Sequence, residues 1–160
     1  MIRDLIALEN TSRVWLYQAD RMLSYDELDY ARPRVMEFLE NWTSHNHQLM
    51  TYGNIFHRQF LGLFVDESMS GASGCSIDKS VHFVEALGAK LGVDFFNRRR
   101  FAYLIDDEVK QIGIDDLKQS YNSGIITENT LFFDNLVSTK GDFLSKWLVP
   151  LSDSWINRFV

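Results

Sequence analysis

Hydrophobic residues fall along this chain in short runs and in stripes at helical spacing, divided by polar, glycine-bearing stretches. Arg13-Val14-Trp15-Leu16-Tyr17-Gln18 is β-branched and aromatic and predicts a first strand. Ser24-Tyr25-Asp26-Glu27 spells a capping box, with Ser24 at the N-cap and Glu27 reaching back. Behind it Leu28, Ala31, Val35, Phe38, Leu39 and Trp42 repeat as one helical stripe. Pro33 interrupts that stripe and predicts a kink or a restart, because proline removes a donor and clashes one turn back. Gln48 to Phe56 and Gln59 to Val65 predict two strands joined by a turn near His57-Arg58. The second is almost wholly apolar, the mark of a central strand covered on both faces.

A small-residue loop from Ser68 to Ser76 leads into a second helix predicted over Ile77 to Leu91, with Ile77, Val81, Val84, Leu87 and Leu91 as its stripe and Gly92 as its stop. Phe101 to Ile105 predicts a fourth strand, Asp106-Asp107 a turn, and Val109 to Ile112 a hairpin partner. The order β-α-β-β-α-β is that of the split βαβ, ferredoxin-like arrangement. After Gly113 the texture changes to a short helix at Asp115 to Tyr121, a short strand at Leu131-Phe132-Phe133, and an aromatic tail with Trp147 and Trp155 either side of Pro150. The expected fold class is α+β: a loose arm over residues 1–12, a ferredoxin-like unit over 13–99, and a small C-terminal α/β unit over 100–160 that packs separately or against the first.

Composition narrows the function. The 160 residues are 46% hydrophobic and 14% aromatic, enough to fill a core. The net charge of −6 opposes non-specific nucleic-acid binding, and Arg98-Arg99-Arg100 is the one basic cluster, expected as a solvated edge. A single cysteine, Cys75, rules out an internal disulfide and suits a reducing compartment. The first residues are too short and too charged for a signal peptide. No apolar run approaches the ~20 residues of a membrane span. The expected home is the cytoplasm, without nucleic-acid or membrane partners.

Candidate chemistry is sparse. The loop Gly71-Ala72-Ser73-Gly74-Cys75-Ser76-Ile77-Asp78-Lys79-Ser80 follows an apolar strand and opens a helix, as phosphate cradles do. Gly71, Ser73, Gly74, Ser76 and Lys79 are its candidate binding residues. It is not a Walker A motif, because Asp78 and Ser73 stand where glycines are required. Cys75, beside a helix N-terminus, is a candidate nucleophile; its bland alternative is a small corner-filling residue. His45, His47 and His57 could supply a zinc or iron site together with Asp66 or Cys75; otherwise the first two cap a helix end. Asp66-Glu67 end the apolar strand without a partner acid. No cofactor is expected beyond that zinc alternative. Trp147, Trp155 and Phe133 are candidate anchors for a protein partner or for self-association.

Two resemblances follow from particular residues. Trp42-Thr43-Ser44-His45-Asn46-His47-Gln48-Leu49, Val65-Asp66-Glu67-Ser68, Gly71 to Ser80 and Gly92-Val93-Asp94-Phe95-Phe96 together resemble an uncharacterised family of bacterial proteins sometimes labelled ABC transporter ATPases; the missing Walker A and ABC signature contradict that label. Leu117, Gly124, Ile126, Thr130 and Leu131, with Trp147 further on and Phe101-Ala102-Tyr103 as an opening strand, are similar to the GYF-like interaction module. That resemblance implies protein binding without catalysis. The leading expectation is a binding or scaffold protein, with loss of partner capture, but not of the first unit's fold, on truncation after Ile112. The alternative is a small enzyme or sensor built on the Gly71–Lys79 loop.

Overall fold

Strand β5 (Phe60–Asp66) organises the molecule. All seven of its residues are buried, and it lies between β1 (Arg13–Gln18) and β4 (Met50–Phe56) in an antiparallel three-stranded sheet. The computed structural model describes residues 1–160. One sheet face carries Ile55, Leu61, Leu63 and Val65, and is covered by α1 (Tyr25–Asn41) and α2 (Gly74–Leu91) through Leu28, Val35, Leu39, Val84 and Leu87. Alternation sends Val14, Phe60 and Phe64 to the opposite face, against the C-terminal third. A near-continuous apolar strand is what burial on both faces requires.

The helices form where their caps dictate. Ser24 and Glu27 make the reciprocal capping box of α1. Both guanidinium Nη atoms of Arg21 bond the Glu27 carboxylate at 2.8 Å, which with the Ser24 N–H holds that carboxyl at about 2. Pro33 neither ends nor restarts α1. Both Pro33 and Asp29, whose carbonyl loses its helical donor, lie on the exposed side, where water can serve that carbonyl. Gly53 lets α1 lie close on β4: a Cβ there would stand 2.7 Å from Leu39 Cδ1. Helix α2 ends at Gly92 in the left-handed conformation, φ 68°.

The fourth strand expected of a ferredoxin-like sheet is not in it. Its candidate, β6 (Arg100–Ile105), joins a separate antiparallel sheet. That sheet has the order β7-β6-β8-β9, with β7 at Glu108–Gly113, β8 at Leu131–Phe133 and β9 at Leu148–Pro150. The Asp106-Asp107 turn (φ 52° and 62°) folds β7 straight back onto β6, and Tyr103 and Leu104 pair with β8 on β6's other side. Both edges of β6 are thereby used, and the edge of β1 away from β5 is bridged only at Arg13, by Thr139. A short helix α3 (Leu117–Asn122) and Ile126 close the far side of the second sheet around Phe101, Tyr103, Phe132, Leu151 and Ile156. The short hairpin of β2 (Thr43–Ser44) and β3 (His47–Gln48) precedes β4, where one longer strand was expected. Helix α4 (Lys140–Lys146), capped by Thr139, fills a stretch for which no element was predicted.

The residue-100 boundary runs through a common core. Phe60, Phe64 and Val14 of the first sheet pack with Ala102, Phe133, Phe143 and Trp147 of the C-terminal third. Around this core a chain of amides crosses the junction: Trp147 Nε1 donates to Asn135, Asn135 to Gln18, and Gln18 to the Arg100 carbonyl. Gln111 donates to the Ala19 carbonyl and to Gln59.

Residues 1–12, expected to be loose, are tied down at both ends. The Met1 ammonium donates to Leu49 C=O (2.7 Å), and Arg3 N–H donates to Thr51 C=O of β4 while Thr51 N–H donates to Met1 C=O, a parallel bridge. The Lys140 ammonium, 5% exposed, donates to Leu8 C=O at 2.7 Å. Burial alone would raise the nearby Asp66 carboxyl; hydrogen bonds from Ser68 and the Glu9 N–H, with the Lys140 charge, hold it below its ordinary value. No helix is long and apolar enough to cross a membrane.

Candidate functional site

The residues singled out as a phosphate cradle bind one another. Ser73 caps α2 by accepting from Ser76 N–H (3.2 Å), and Ser76 Oγ accepts from Ser73 N–H (2.7 Å). The Glu67 carboxylate already accepts Ala72 N–H at 3.0 Å, and a Cβ on Gly71 would meet it at 2.8 Å. The loop thus carries its own anion and its own cap. Gly74 opens α2, three residues earlier than the stripe indicated, so Cys75 lies in the first turn. It is exposed rather than corner-filling, and no hydrogen bond joins its thiol to a histidine.

The histidines have structural work. His45 (φ 51°) with Asn46 (φ 67°) turns β2 into β3, and His57 (φ 51°) with Arg58 (φ 58°) turns β4 into β5. Histidine and asparagine tolerate this left-handed region better than most residues. No three His, Cys, Asp or Glu side chains converge to hold a metal ion, so the zinc alternative finds no ligand set. The exposed His57 ring rests one side on Phe133 (5.4 Å), Trp147 (6.0 Å) and Phe60 (6.2 Å), and the partial desolvation lowers its pKa below the ordinary value. A neutral form favoured by folding makes stability greatest above the unfolded pKa of ~6.5, with loss as pH falls below it, because the unfolded chain then binds more protons. Urea midpoints should therefore fall between pH 6.5 and 5. His57→Asn, which keeps the left-handed turn but does not titrate, should flatten that slope; an unchanged slope would remove His57 as its source.

Trp147 (9% exposed) and Phe133 (3%) are interior, joining the C-terminal third to the first sheet rather than standing ready for a partner. Trp155, stacked edge-on against Phe101 at 5.5 Å, is half-buried and belongs to a different feature. That feature is a groove of about 590 Å³ along the free side of β1, within the range of ligand sites. Its floor is β1. Ile77 and Val81, from the first turns of α2, form one wall, and residues 135–138 with Phe101 and Trp155 form the other. Phe95 and Phe96 lie at one end, the Phe96 ring 5.5 Å from Tyr17. Burial raises the Tyr17 phenol above its ordinary pKa, a hydrogen bond with Ser80 opposing, so it is a neutral donor. The Trp155 indole N–H, buried in the wall, finds no acceptor within the chain.

The floor has unpaired backbone. Val14 N–H donates to Ser138 C=O (3.0 Å), and Lys140 N–H to Ser12 C=O (2.8 Å), an antiparallel bridge on the side of β1 away from β5. Antiparallel ladders alternate, so the N–H and C=O of Leu16 and Gln18 face that same side. There no strand pairs with them.

Thirteen of the groove's twenty lining residues are hydrophobic; Arg13, Arg98 and Arg100 are its charges, and no Asp or Glu lines it. Two arginines of the cluster read as a solvated edge thus belong to the groove, and the third, Arg99, bonds Asp115 on the surface. Comparison with protein families, with curated proteins and with solved structures gives no match. The sequence carried one signal of this site, a basic triplet in an acidic chain; that Ile77 and Val81 head their stripe outside the core is seen only in the fold.

Proposed function

We propose that this chain is a non-catalytic cytoplasmic binding protein that takes an extended segment of another polypeptide as an added strand on the open edge of β1. The observation that carries this reading is the unpaired Leu16–Gln18 backbone along the floor of an apolar groove. An edge of this kind is a template for strand addition: main-chain hydrogen bonds supply affinity, and alternate side chains supply specificity. The sheet order β1-β5-β4 is three-quarters of a split βαβ sheet. The incoming segment would stand where the fourth strand of a ferredoxin-like sheet stands. The GYF-like resemblance carried by Leu117, Gly124, Ile126, Thr130, Leu131 and Trp147 points the same way, towards protein binding.

Peptides selected from a random displayed library against the full chain test this reading. N-methylation along the best binder should abolish binding at every second position and spare those between, because only alternate amides face β1. Val81→Glu, a charge on the half-buried groove wall, should reduce affinity about tenfold or more, as burial of an unpaired carboxylate does. Methylation effects without alternation, or binders indifferent to Val81→Glu, would sink the proposal. A concentration-dependent dimer dispersed by Val81→Glu would give the groove to a second copy instead.

A further inference from the structure

Resting on that strand-addition reading, we infer that the partner segment is an apolar-centred strand with an acidic side chain near each end. The groove's charges are arranged for it. Arg13 begins β1, its guanidinium 4.6 Å over the Trp15 ring and only loosely held by Glu67 at 3.6 Å. The other end of β1 is marked by Gln18, whose amide reaches the Arg100 carbonyl at 3.4 Å, which puts Arg100 there. Arg100 bonds the neutral amide of Gln111, not a carboxylate. Arg98 has no carboxylate within salt-bridge distance, unlike Arg13, Arg21 and Arg99.

A chain with 22 acidic and 16 basic residues thus lines this groove with three arginines and no acid. Guanidinium groups favour planar, bidentate carboxylate partners. Between the two charged ends the walls are apolar on both faces of an incoming strand: Trp15, Tyr17, Ile77 and Val81 towards α2, Leu16 and Val137 towards the C-terminal third. From Arg13 to Gln18 the strand runs about 17 Å at ~3.3–3.4 Å per residue, so about six residues of partner span the charges; those opposite Leu16–Gln18 pair with β1, and those nearer Arg13 pass outside Ser138, which already holds the Val14 N–H. A compact anion would meet one end only. Nucleic acid is disfavoured by the negative charge of the remaining surface.

The test uses the full chain and three end-blocked synthetic hexapeptides with the common centre Ile-Thr-Val-Tyr, flanked by Glu, Gln or Lys, read by fluorescence anisotropy at physiological salt. The expected order is Glu over Gln over Lys, with about tenfold or more between the extremes, the sum of modest exposed ion pairs at two ends. Arg13→Glu with Arg98→Glu should reverse the order in favour of the Lys-flanked peptide, a reversal that a merely weakened fold does not produce. Equal binding of all three peptides would overturn the acidic flanks and leave strand addition standing, provided the alternating methylation pattern persists. Failure of all three to bind would also overturn this inference, while the library selection separately decides strand addition. A Glu preference that survives the double reversal would remove the arginines as its cause.

Discussion

Trp147→Ala is expected to lower the stability of the whole chain by about 3–5 kcal/mol, the range of large aromatic truncations in a core. The indole touches rings from both halves of the molecule: Phe143 at 4.7 Å, Phe133 at 4.8 Å, Phe60 at 5.0 Å and Phe56 at 5.7 Å. Its N–H bonds Asn135 at 3.0 Å, and Asn135 in turn bonds Gln18 of β1. Alanine therefore leaves a void at the junction and strands the half-buried Asn135 amide. Trp147→Phe separates the two effects, keeping much of the ring and losing about 1 kcal/mol for the hydrogen bond. Urea unfolding followed by circular dichroism gives both values. A loss below 1 kcal/mol for Trp147→Ala would mean that the two halves do not share their core.

Removing all residues after Ile112 is expected to leave no folded protein. The sequence suggested that the first unit would survive, but its sheet has two apolar faces and the helices cover one. Truncation uncovers Phe60 and Phe64 and removes Phe133, Phe143 and Trp147 from them. Burial of each large side chain contributes about 1.5–3 kcal/mol, and the whole stability of such a domain is about 5–15 kcal/mol. The shortened chain should aggregate, or bind a hydrophobic dye without a cooperative melt. A soluble monomer with a sharp thermal transition would restore the picture of two independent units.

Local elements were legible in the sequence because local chemistry makes them. Ser24 and Glu27 gave the start of α1, Gly92 the end of α2, and the unbroken apolar run Phe60–Val65 the central strand. The partnership of β6 was not legible, since strand pairing is decided by what else competes for the edge, and β8 lies some thirty residues downstream. The same limit hid the groove. Nothing in Arg13–Gln18 itself reveals that only one of its edges will be paired. The histidines and Cys75 drew attention as chemistry, yet His45 and His57 stand in left-handed turns and Cys75 on an open helix end. Residue type alone does not separate a turn former from a ligand.

The central strand also sets a clock on synthesis. One face of β5 is covered by α1 and α2, which flank it in the chain, but Phe64 waits for Trp147, about 80 residues later. At roughly 5–20 residues per second of translation, that is about 4–17 seconds with two phenylalanines facing water or a chaperone. Closure then demands contacts between remote parts of the chain, the slow class in folding. The yield of this protein in a cell should accordingly depend on what shields that face while the last third is still being made.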